Sequence, residues 1–218
     1  MSNFSMNINA NKMGAPDADL YEYLLVGHPD ANVYNKVLEV KQEFATEYNE
    51  KIAIKTMPHI TVANFLANEA MEPTLIKWMQ RIFSAQPSFT VTLNNYSGFP
   101  SHTIYLRIQN ALPFQQLAKQ LKAVDDFIRA CNCPPARLIT KPHLTIAPRL
   151  NEDVYNKAII DYAGKIFHES FMLDELLLLR RKHQFDACKT INVFKLSPFE
   201  KNFFPDAAAV QRELFTMK

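Results

Sequence analysis

The chain has 218 residues, 48% of them hydrophobic and 21% charged, with a formal net charge of +2. That length supports a sizeable core, as one large or two small domains. The mild charge excludes the dense basic face of a duplex-DNA binder, and the longest apolar run, Leu176 to Leu179, is far too short to cross a bilayer.

The first twenty residues are polar, Asn-rich and without the apolar stretch of a signal peptide, which predicts a flexible N-terminal tail on a cytoplasmic protein. Residues 21–27 (YEYLLVG) read as a strand, and 32–49 carry apolar residues at mostly helical spacing. Residues 58–66, opening on PHITVA, read as a strand. A helix follows from about Pro73, where proline suits the first turn, and FTVTL at 89–93 alternates as a half-buried strand. Asn94, Asn95, Tyr96, Ser97 and Gly98 supply turn residues.

The order then repeats. Residues 103–108 (TIYLRI) read as a strand, 113–130 as a helix, and 142–147 (PHLTIA) as a strand. A helix over about 151–167 follows, then strands over 171–180 and 190–196. Phe83 and Phe167 each stand 24 residues beyond the histidine of their hexamer, and each is read as a helix end. Two passes of strand, helix, His-x-Thr strand, helix, strand predict α/β or α+β layers, with the two similar halves packed about a pseudo-twofold axis. Such packing leaves a cleft into which equivalent strands from both halves can point. The three cysteines, Cys131, Cys133 and Cys188, show no disulfide framework, which fits a reducing compartment.

Strand alternation puts His59, Thr61, Ala63 and Phe65 on one face, and His143, Thr145 and Ala147 on the corresponding face of the second copy. An imidazole and a hydroxyl two residues apart are separated by roughly 6–7 Å at the backbone, so both can reach one phosphate. Two such faces across a cleft supply a base for the entering oxygen, an acid for the leaving one and two hydroxyls for the non-bridging oxygens. Zinc needs three or four close protein ligands, and no Cys, Asp or Glu accompanies either histidine, so no metal and no cofactor are expected.

The paired hexamers PHITVA and PHLTIA, the internal repeat and the stretch Gly98-Phe99-Pro100 resemble the 2H phosphoesterases. The likeness is to the branch of bacterial 2′-5′ RNA ligase-like proteins and 2′,3′-cyclic phosphodiesterases, over residues 21–200. The resemblance implies that His59 and His143 are the catalytic pair and Thr61 and Thr145 the phosphate binders. It also implies a single α+β bilobal domain over 21–200, its interleaved lobes each an antiparallel sheet packed with helices and the active-site cleft between them, a metal-independent mechanism and a cyclic or 2′,5′-linked phosphodiester substrate at a nucleotide or RNA end. Members with well-matched RNA-processing motifs often carry a basic residue five positions after the second histidine. Here that position is Pro148, and Arg149 follows as the substitute that strand alternation allows.

Phe65, Phe99 and Tyr105 are candidates to stack a base, with Phe99 foremost for its Gly-Phe-Pro setting; the run 180–183 (RRKH) could steer a polyanion or form a solvated strand end. The other four histidines, His28 among them, read as surface or structural. Residues 201–218 are expected to be a C-terminal extension packed on a lobe or a partner. The expected protein is a monomer acting on a nucleotide or RNA-end phosphodiester. Its rivals are a non-catalytic nucleotide- or RNA-binding module and a 2′-5′ RNA ligase.

Overall fold

The computed structural model describes residues 20–183 and 186–198. The expected C-terminal extension, and the N-terminal tail up to residue 19, lie outside the described residues. No described helix is long and apolar enough to cross a membrane.

The first pass of the chain runs β1 (Leu20–Gly27), α1 (Ala31–Glu47), the short α2 (Ile52–Lys55), β2 (Ile60–Asn68), α3 (Glu72–Ser84) and β3 (Phe89–Phe99). The second runs β4 (Thr103–Ile108), α4 (Leu112–Gln120), α5 (Lys122–Ala130), β5 (Arg137–Leu138), β6 (His143–Ala147), α6 (Glu152–Ala163) and β7 (His168–Leu173). Strands β8 (Glu175–Arg181) and β9 (Lys189–Lys195) close the described chain. Local chemistry sets several of these ends. The Asp30 carboxylate accepts from the Val33 amide to cap α1, and the Asn151 side chain accepts from the Val154 amide to cap α6. A proline stands in the first turn of α3 and of α4.

The expected α+β class is observed, with one antiparallel sheet in the order β7-β3-β4-β6-β2-β1-β8-β9 and β5 beside β2. The two strands that follow the motif histidines are neighbours at its centre, joined by the pair Ile60–Leu144. Four strands lie to either side of that seam. The chain crosses it repeatedly: β3 pairs with β4 and β7, while β8 returns to β1. Helices cross as well, since α1 lies against β6 and β7, and α4 against β2.

Each motif strand carries a bulge at the same place. Leu25 pairs with Ala63 but Val26 pairs with Thr61, which leaves Val62 as an extra residue in β2. Ile104 pairs with Ala147 but Tyr105 pairs with Thr145, which leaves Ile146 extra in β6. A bulge of this kind breaks the strict alternation of side chains. Val62 and Ala63 are therefore both buried, as are Ile146 and Ala147.

Several expected boundaries shift. Asn94 to Gly98, expected as a turn, continue β3 through a bulge between Leu93 and Tyr96. Asn95 takes a φ of 56°, which asparagine tolerates, and exchanges hydrogen bonds with the Phe167 backbone. At Gly98 an added Cβ would stand 2.5 Å from the Tyr155 hydroxyl, so glycine is what lets α6 approach β3. The helix expected over 113–130 divides at Leu121, and the strand expected over 171–180 divides at Asp174 into β7 and β8. Helix α6 stops at Ala163, so Phe167 lies beyond it rather than at its end.

Candidate active site

His59 stands immediately before β2 and His143 opens β6. The Nδ1 of His59 lies 2.7 Å from the Met57 carbonyl, and the Nδ1 of His143 lies 3.2 Å from the Lys141 carbonyl. A carbonyl only accepts, so in each ring Nδ1 carries a proton, and Nε2 is the nitrogen left to take or give one. The same device, a bond to the carbonyl two residues upstream, thus fixes both imidazoles in one tautomer.

Ile60 and Leu144, opposite each other at the seam, are fully buried. Continuing that antiparallel register by one residue sets His59 opposite Thr145 and Thr61 opposite His143, on the face turned away from the core. Opposite residues in such a pair lie about 4.5–5.5 Å apart at Cα. The four side chains therefore mark the corners of a small rectangle, imidazole beside hydroxyl on each edge. Thr61 and Thr145 are half-buried, and among the described residues neither hydroxyl has a hydrogen-bond partner.

Both imidazoles are held below the ordinary histidine value, chiefly by burial. The bond to Met57 partly offsets this for His59, and the positive charges of His28, Lys41 and His143 add to it. For His143 the bond to Lys141 offsets burial, and the guanidinium of Arg137 lowers it further.

Beside His143 lies a cavity of about 240 Å³ lined by Phe99, Tyr105, Arg107, Gln115, Lys141 and His143, among others. Phe99 and Tyr105 stack at 4.5 Å between ring centres, and both rings pack on the imidazole, at 4.9 and 5.1 Å. Arg107 pairs with His143 across β4 and β6, and its Nε donates to the Asn94 carbonyl. On the other side of the seam Gly27 pairs with Ile60, which leaves His28 next to His59. A larger cavity of about 640 Å³ lies along α1. Its lining includes Glu39, Glu43 and Glu47 with Lys165, and three carboxylates make a poor seat for phosphate.

Two expected contributors are placed differently. Phe65 is 3% exposed and stacks on Tyr23 at 5.2 Å, because the bulge at Val62 turns it into the core; it has no free face for a base. Arg149 is exposed beyond the end of β6 with a φ of 56°, so the strand alternation that would align it with the histidines stops before it. In the run 180–183, Arg180 is paired with Glu69 and Glu72, and Arg181 with Glu22.

Sequence reasoning missed Arg107, Lys141, Arg137 and Lys41. Arg107 had a signal, since it follows Tyr105 by two residues on an alternating strand. Lys41 had one too, four residues after Val37 on the apolar stripe of α1. Lys141 and Arg137 become visible only through tertiary pairing.

Residues 29–184 match the family model described as the 2′-5′ RNA ligase superfamily. The chain belongs to that superfamily, among the 2H phosphoesterases. No protein with a curated description matches it at a significant level. Among solved structures, TT0787 of Thermus thermophilus is 17% identical, with a TM-score of 0.64 over 82% of this chain and 99% of that one. E. coli LigT in its apo form is 18% identical, with a TM-score of 0.60 over 82% of this chain and 98% of LigT. LigT complexed with 3′-AMP gives 17% and 0.57 over 81% and 98%. At these identities the likeness is one of fold.

Proposed function

We propose that this 2H phosphoesterase hydrolyses a 2′,3′-cyclic phosphate, or a related 2′,5′ phosphodiester, at a nucleotide or RNA end. The carrying observation is the pair of imidazoles on one face, each held through Nδ1 so that Nε2 has no partner among the described residues, and each with a hydroxyl opposite. One neutral imidazole takes a proton from water through Nε2 as the water oxygen bonds to phosphorus. The bond from phosphorus to one ribose oxygen breaks, and the second ring, charged at the outset, gives its Nε2 proton to that oxygen. The products are a free hydroxyl and a phosphomonoester, and the two rings end with exchanged protonation. Thr61 and Thr145 donate to the non-bridging oxygens as their charge grows. This scheme assigns no step to a metal.

The nucleoside belongs on the His143 side, where Phe99 and Tyr105 offer an aromatic surface and Arg107 and Lys141 offer cations. LigT, which shares the fold, has been solved with 3′-AMP, with ATP and with phosphate, which supports a nucleotide substrate here. The test is turnover of the four nucleoside 2′,3′-cyclic phosphates, with products identified by phosphorus NMR. Ring opening to a single monoester isomer is expected. Tight nucleotide binding in calorimetry without turnover would make the protein a binding module instead.

A further inference from the structure

Lys41 is fully buried, an uncommon place for lysine. Its ammonium donates to the carbonyls of Thr145 at 3.0 Å and Ile146 at 2.8 Å, and to the Thr56 hydroxyl at 3.2 Å. Its three donors are thus satisfied. Its charge is not, because among the described residues no carboxylate forms an ion pair with it. Of the acids near α1, Glu169 of β7 is paired with Lys36, Asp161 of α6 accepts from the Tyr48 hydroxyl, Glu47 of α1 itself is paired with Lys165, and Glu152 and Asp153 of α6 are exposed. Glu39 and Glu43 are exposed on α1, and Lys55 of α2 is exposed as well. The positive charge of Lys41 contributes to lowering His59.

The two carbonyls that Lys41 holds belong to the bulge of β6. In β2 the corresponding carbonyl, that of Val62, accepts from the Ile139 amide at 2.9 Å. One bulge is thus pinned by a neutral backbone donor and the other by an ammonium. A buried cation without a counter-ion is unfavourable, and a backbone amide serves the same geometry on the other side of the seam. The charge therefore calls for an explanation beyond pinning a strand.

We propose that Lys41 is a positioning residue that fixes the Thr145–Ile146 bulge from behind and takes the substrate phosphate, on the opposite face of β6, as its counter-ion. The inference rests on the phosphoesterase reading. Burial lowers Lys41 to about 8 in the free protein, whereas a nearby anion favours the ammonium. At pH 8 the free protein holds this lysine partly neutral, and an arriving anion draws a proton in.

The test is calorimetry of the full chain with inorganic sulfate at pH 8, repeated in buffers of different ionisation enthalpy. Sulfate keeps a fixed charge in this range, so any proton taken up is the protein's. Wild type should take up a fraction of a proton on binding. Lys41→Met should take up less and bind about tenfold more weakly, the equivalent of a one-unit pKa shift. Lys41→Arg, charged at every accessible pH, should bind without that uptake and guards against a methionine variant that folds poorly. Equal affinity and equal uptake in wild type and Lys41→Met would overturn the proposal alone. A wild type that binds no sulfate, and turns over no cyclic nucleotide, would overturn the phosphoesterase reading and this inference with it.

Discussion

Around His59 and around His143 the chain builds the same arrangement of imidazole and hydroxyl twice, then surrounds the two copies differently. Each imidazole bonds the carbonyl two residues before it, and each threonine is followed by a one-residue bulge. One strand further out the likeness ends. Tyr105 lies opposite Thr145, whereas the buried Val26 lies opposite Thr61. Arg107 lies opposite His143, whereas His28 follows the residue that pairs with Ile60. The proposed phosphorus chemistry calls for two similar groups on opposite sides, and the proposed substrate has one nucleoside to recognise. Symmetry at the centre and asymmetry at the rim fit those two demands.

The largest effects should fall on the symmetric part. His59→Ala and His143→Ala should each lower turnover by about 10²–10⁴-fold. Thr61→Ala and Thr145→Ala should each cost about one to three kcal/mol of transition-state stabilisation. Near-normal turnover in either histidine variant, with the fold intact by circular dichroism, would break the equivalence of the halves.

Two phenylalanines separate core from rim. Phe65→Ala removes a buried ring stacked on Tyr23 and should destabilise the fold by about 3–5 kcal/mol, read by urea unfolding, with KM unchanged. Phe99→Ala should do the reverse, raising KM about tenfold through lost stacking while moving the unfolding midpoint little. A KM effect in the Phe65 variant and none in the Phe99 variant would reverse the assignment.

The histidine pair also predicts a pH response. In the proposed mechanism one ring starts neutral and the other charged, so kcat/KM should trace a bell. Both rings are lowered in the free protein, so its centre should lie on the acid side of the ordinary value of about 6.5. The limbs belong to the pair rather than to either residue. The same shifts act on stability. The folded rings bind fewer protons than the unfolded ones, so stability is lost as pH falls below that ordinary value. A double His59→Gln/His143→Gln variant should lose less stability over that window in pH-dependent urea titrations. Smallest of all should be the effect of EDTA, which is expected to leave turnover unchanged; loss of activity restored by Zn²⁺ or Mn²⁺ would place the reaction in another class.

The elements and the histidine motifs were legible because hydrophobic period and repeated hexamers are local signals. The bulges were not. A single extra residue changes which face every later side chain occupies, and neither Val62 nor Ile146 announces it by residue type. Phe65 was misplaced for that reason, since strict alternation puts it with His59. Asn94 and Asn95 carry turn chemistry, but the Phe167 backbone captures Asn95 into a bulge within β3. The place of Lys41 on the apolar stripe of α1 is legible in the sequence, but its three acceptors, oxygens from β6 and from the end of α2, are supplied only by the tertiary fold.

The return of β8 to β1 has a consequence during synthesis. Leu24 pairs with Leu179, a contact whose closure spans most of the chain and is of the kind that slows folding. At about 5–20 residues per second, β1 would emerge on the order of ten seconds before its outer partner is made. Until then one side of an apolar strand is an open edge, ready to pair with another chain. The nascent protein is most exposed to aggregation before β8 and β9 are translated, and any truncation ahead of Glu175 makes that interval permanent.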